Sequence, residues 1–130
     1  ELRRTAEDGA WGANAGPRAL RRGLTAARSL LRSRPTDRDA ALMEGVLLYR
    51  RGALTEACEH LRRVLGEGDA PEAGTAGAAT LFLAMTRCRL EEPGAREELA
   101  RVVEQLEREQ AQAGPAQGAL GEARRLLAGG

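Results

Sequence analysis

Residues that favour extended backbone are almost missing from this chain: it has no Ile, and its 130 residues include only four Val, one Phe, one Trp and one Tyr. The face of a β-sheet is built largely from β-branched and aromatic side chains, so a sheet has little to be made from. Ala, Leu, Arg and Glu supply 79 of the residues. These four types lose little or no side-chain entropy in a helix. The expected fold class is therefore all-α, and a chain of this length forms one domain, 1–130, with a core of its own.

Gly and Pro divide the chain into helix-length pieces, at Gly16-Pro17, Arg34-Pro35, Arg51-Gly52, Gly66 to Pro71, Pro93-Gly94 and Gly114-Pro115. Wound at 100° per residue, the pieces differ in kind. Residues 18–32 place Leu20, Leu24, Ala27, Leu30 and Leu31 on one face and Arg18, Arg21, Arg22, Arg28 and Arg32 on the opposite one. Residues 39–51 are apolar nearly all round, interrupted only by Glu44, Arg50 and Arg51, which predicts a helix wrapped by neighbours. Residues 56–66 are two-faced again, residues 73–90 are apolar on most sides, and residues 95–112 return to two faces.

An inner helix apolar all round followed by an outer helix apolar on one side, repeated, is the pattern stacked helical hairpins require. Gly45, Tyr49, Gly52, Ala53, Leu54, Ala57, Leu61, Val64 and Leu65 carry the spacing. This resembles the tetratricopeptide repeat, which places a small residue in helix A, Gly at the turn, then Ala and a large apolar residue in helix B. Gly45 is expected to let helix B approach, Gly52 to permit the turn, and Ala57 to be the small contact. One repeat earlier, Gly23, Ala27, Leu30, Leu31 and Pro35 fall in register. One repeat later, Ala84, Gly94, Leu99 and Val103 do so with about three residues inserted at 91–93. Helix A departs from the family pattern at Ala41, Glu44 and Leu48.

The resemblance implies a right-handed stack of antiparallel helical hairpins, about two and a half repeats plus a cap. These are a degenerate first repeat at 1–35, with its helix A drawn from residues 2–14, a second at 36–69, a third at 73–112 and a capping helix at 115–128. It also implies a non-enzymatic adaptor that holds a partner's peptide or helix in a concave groove lined by the A helices. Register nominates Leu42, Val46, Tyr49, Arg50, Leu81, Met85, Cys88 and Arg89 as that groove. Family members that clamp a chaperone's C-terminal carboxylate carry Lys, Asn or Arg where Leu42, Val46, Leu81 and Met85 stand here. The expected partner is instead an apolar segment with acidic flanks for Arg50 and Arg89. The alternative is that these residues are packed core, covered by the terminal helix.

Composition limits the rest. All 20 basic residues are Arg, against 19 acids, and the net charge of +1 gives no global field for nucleic acid or membrane. With one His, two Cys and no Lys, the residue inventory argues against an enzyme. His60 winds to the polar side of its helix and away from Cys58, so neither a nucleophile pair nor a metal site is expected, and no cofactor motif is present. Cys58 and Cys88, thirty positions apart, read as small buried hydrophobes in a reducing, cytoplasmic setting. No apolar run is long enough to span a membrane.

The charges are nonetheless uneven. Residues 17–38 hold seven Arg and one Asp, and residues 91–110 hold seven Glu and three Arg. The Arg face at Arg18, Arg21, Arg22, Arg28 and Arg32 is a second candidate site, open to an acidic partner. The oppositely charged ends also allow a self-assembling structural module. The lack of aromatic residues beside the Arg face argues against single-stranded nucleic acid.

Overall fold

A computed structural model describes residues 2–11, 16–66, 73–109 and 115–129. All the secondary structure among them is helical: α1 (Leu2–Trp11), α2 (Pro17–Ser33), α3 (Arg38–Arg51), α4 (Leu54–Gly66), α5 (Ala73–Arg89), α6 (Ala95–Arg108) and α7 (Pro115–Gly129). Some expectations lie outside the described residues: helix A of the first repeat beyond Trp11, the end of the helix drawn to residue 112, and most of the break from Gly66 to Pro71.

Local signals set the boundaries. Pro17 opens α2, where its missing N–H and fixed φ cost nothing. Asp37 caps α3, its carboxylate accepting from Ala40 N at 3.0 Å while it also pairs with Arg3. At the other end of α3, Gly52 sits at φ 90°. There Gly52 N–H donates to Tyr49 O and Ala53 N–H to Leu48 O, the paired closure of a Schellman stop.

The same stop recurs after α5, on a different residue from the one expected. Glu91 N–H donates to Cys88 O and Glu92 N–H to Arg87 O, and Glu91 holds φ 58°. Glu91 therefore stands where Gly52 stands, seven residues beyond Ala84 as Gly52 is seven beyond Gly45. Gly94, at φ 77°, instead opens α6 in the place Ala53 holds before α4, so the connection beyond the stop is longer by two residues, 92 and 93. A side chain in the left-handed region is strained by its Cβ, and Glu91 is exposed. Glu91→Gly is expected to stabilise the chain by about 0.5–1 kcal/mol, net of the extra freedom glycine gives the unfolded state. A rise in the chemical-denaturation midpoint at unchanged slope would register it.

Packing follows the two kinds of helix. The inner helices α3 and α5 each meet four others: α1, α2, α4 and α5 surround α3, while α3, α4, α6 and α7 surround α5. From Ala40 to Tyr49 only Ala41 escapes full burial, which is why this segment needed apolar residues on every side. Each even-numbered helix seats against its two odd neighbours and buries one stripe, in α4 through Ala57, Cys58, Leu61 and Val64. Small residues set the spacing. A Cβ on Gly45 would fall 2.7 Å from Leu61 Cδ2, and α1 meets α2 where Gly9 and Gly23 face one another.

Candidate functional site

The expected groove is covered in this structure. Leu42, Val46, Tyr49, Leu81, Met85 and Cys88 are all buried and belong to one continuous core, so the alternative of packed core describes them better than an exposed lining. The chain itself does the covering. Its three aromatic residues, one each from α1, α3 and α5, converge: Phe82 lies 6.1 Å from Trp11 and 5.5 Å edge-on from Tyr49, between ring centroids. Edge-to-face contact suits the quadrupoles of such rings. Burial holds the Tyr49 hydroxyl above its ordinary pKa range.

Two arginines close this cluster. Arg50 stacks over Phe82 with Cζ 5.7 Å from the ring centroid, and Arg89 over Tyr49 at 4.9 Å. Arg89 also donates to Tyr49 O at 3.2 Å. Arg50 donates Nε–H to Ala10 O of α1 and forks onto Glu122 of α7 at 2.9 and 3.1 Å. A bidentate guanidinium–carboxylate pair is the strongest ordinary hydrogen-bonded ion pair, and here its side chains keep only 11% and 19% of their exposure. The acid expected from a partner beside Arg50 is thus supplied by the chain.

Phe82, Trp11 and Glu122 stood outside the expected site residues. The signal for the aromatics was available, since the three occur once each at 11, 49 and 82, at intervals of 38 and 33 residues and one in each of α1, α3 and α5.

A second network corrects the placing of His60. The residue is partly buried, with Nδ1 3.2 Å from Glu44 Oε1, while Arg28 Nε donates to Oε2 at 2.9 Å. The carboxylate thus ties α2 to α4 through α3. Burial pushes the Glu44 carboxyl up, but the hydrogen bonds and charges of His60 and Arg28 outweigh it, and the net pKa is lowered. A depressed folded pKa gives stability that is present above the unfolded value, near 4.5, and lost as pH falls through the folded one. Asp37 is lowered likewise and contributes in the same direction. Stability is expected to drop below about pH 4.5, and Glu44→Gln should flatten that slope in denaturant titrations run from pH 6 to pH 3.

On the basic face, Arg18, Arg21, Arg22, Arg28 and Arg32 are all exposed as expected. Arg28 reaches Glu44, and Arg32 bonds Ser29 within its own helix. The Glu-rich segment is largely exposed too, but some of its carboxylates are paired. Glu98 pairs with Arg87, Glu104 with Arg108, and Glu107 with Arg124. Cys58 and Cys88 are free and buried, and burial pushes the Cys58 thiol pKa up. Among the described residues no group of three or more His, Cys, Asp or Glu could hold a metal ion, and no helix is long and apolar enough to cross a membrane.

Compared with known proteins, the chain matches no family model, no curated protein and no solved structure.

Proposed function

We propose that this chain is a tetratricopeptide-like helical-repeat module that binds another protein and performs no chemistry of its own. In this reading α1/α2, α3/α4 and α5/α6 are successive hairpins and α7 is the cap. The observation that carries it is the recurrence of one construction: a small residue in the inner helix, then a left-handed stop seven residues on, at Gly45 with Gly52 and at Ala84 with Glu91. The groups best suited to chemistry have other employment: His60 holds a buried carboxylate, and burial keeps Cys58 in its unreactive thiol form.

An apolar partner segment directed at Leu42, Val46, Leu81 and Met85 must first displace the chain's own cover. The Arg50–Glu122 fork is the part of that cover a single substitution can loosen. Glu122→Ala is expected to cost about 2 kcal/mol by leaving the largely buried Arg50 with fewer acceptors. It should also raise acrylamide quenching of Trp11, the sole Trp.

The module reading is tested by passing an extract of the source cells over the immobilised folded chain and rebuilding any retained complex from purified components. A stoichiometric complex supports the reading. Retention of nothing that re-forms from pure parts overturns it.

A further inference from the structure

Many arginines of the molecule are engaged within it. Arg3 pairs with Asp37, Arg50 with Glu122, Arg87 with Glu98 and Arg124 with Glu107, while Arg38 and Arg96 donate to the carbonyls of Val64 and Leu127 near the ends of α4 and α7. Others, such as Arg51, Arg62, Arg63 and Arg125, have no ion pair or hydrogen bond among the described residues, and the outer face of α2 gathers three of this kind within five residues of an acid-free stretch. Arg18, Arg21 and Arg22 are exposed and have neither an ion pair nor a hydrogen bond among the described residues. With Thr25, Arg28, Ser29 and Arg32 they form a single stripe about 21 Å long at 1.5 Å per residue. No Asp or Glu occurs anywhere from residue 9 to residue 36.

This arrangement works against the helix that carries it. Arg18 and Arg22 are like charges one turn apart, as are Arg28 and Arg32. Arg18, in the first turn of α2, also faces the positive end of the helix dipole, and that turn holds no acidic residue. Among the described residues no carboxylate pairs with Arg18, Arg21 or Arg22, whereas an external anion would offset these repulsions at once.

We propose that the α2 stripe docks a short acidic segment, rich in Glu or Asp, of a partner protein. Three guanidinium groups without partners present forks matched to carboxylates. Shortness follows from the borders: α1, packed against α2, exposes Glu7 and Asp8, and the whole chain is only +1. A long polyanion such as duplex nucleic acid would overrun the stripe onto a surface that does not attract it. The acidic end of the chain is a poorer occupant because Glu92, Glu98 and Glu107 are paired within the chain and Arg96, Arg101 and Arg108 stand among its carboxylates.

The inference rests on the chain being a protein-binding module, and the test separates the two. Fluorescence anisotropy of a labelled twelve-residue Glu/Asp peptide is followed against the full chain, beside an all-Gln/Asn peptide of equal length, from 20 to 300 mM NaCl. The expected result is binding of the acidic peptide alone, weakening with salt, and at least tenfold weaker in Arg18→Gln/Arg21→Gln/Arg22→Gln. Circular dichroism should show that variant as helical and at least as heat-stable as the natural chain, since like-charge repulsion is removed; Arg21→Gln/Arg22→Gln serves as the milder variant should it not fold.

Equal binding by natural chain and folded variant, or no binding at 20 mM NaCl, overturns the stripe. So does tighter binding of a duplex oligonucleotide that the same variant abolishes, or salt-sensitive self-association of the chain that the variant abolishes. If the stripe fails while natural chain and variant both retain the same partner from extract, the module reading stands and only this surface is lost.

Discussion

Replacing Phe82 with Ala is expected to lower the unfolding free energy by about 4 kcal/mol, the upper part of the range for deleting a buried aromatic ring. The ring is fully buried. It lies against both Trp11 and Tyr49 and also carries the Arg50 guanidinium on its face. Its loss removes apolar burial, two ring contacts and a cation–π contact together, and leaves a cavity where α1, α3 and α5 meet. Urea titration followed by circular dichroism measures the loss, and Trp11 emission in the native baseline should move to the red. A loss below about 1 kcal/mol, the scale of a surface substitution, would mean that Phe82 does not occupy the centre of this cluster.

The second large effect is expected at Gly45. Valine there would place a Cβ 2.7 Å from Leu61 Cδ2 and 2.9 Å from Leu61 Cγ, well inside van der Waals contact. Leu61 is itself completely buried and cannot swing into solvent. Helices α3 and α4 must separate, and overpacking of this kind costs about 3 kcal/mol. The gain in helix propensity over glycine is smaller than that. Gly66, by contrast, has nothing near its Cβ position, so Gly66→Val measured in the same way controls for the substitution itself and should change stability by under about 1 kcal/mol.

Much of the fold was legible because it depends on local rules. The scarcity of strand formers matches the all-helical described residues, the two kinds of pattern separated inner from outer helices, and Gly45 lies against Leu61 of α4, Gly52 makes the left-handed stop and Ala57 is buried. The third turn was misplaced because a glycine is the usual mark of a left-handed stop, and this stop is made by Glu91. The candidate groove was legible as a set of positions but not as a surface. Register can place Leu42, Val46, Leu81 and Met85 on one side of two helices, but their burial, like the Arg50–Glu122 pair 72 residues apart, depends on elements distant in the chain. No periodic pattern reports a contact of that span. His60 shows the same limit, since its face was assigned from its own helix while its partner Glu44 belongs to another.

The Arg50 contacts have one more consequence. In an open stack each unit touches only its neighbours, so the ends can fray independently of each other. Here α1 and α7, the first and last helices, both bond to the same side chain in α3. Melting either end removes an acceptor from Arg50 and weakens the hold on the other. Protection from hydrogen exchange at α1 should therefore rise and fall with that at α7, and the molecule should open as a single cooperative unit instead of unravelling one hairpin at a time.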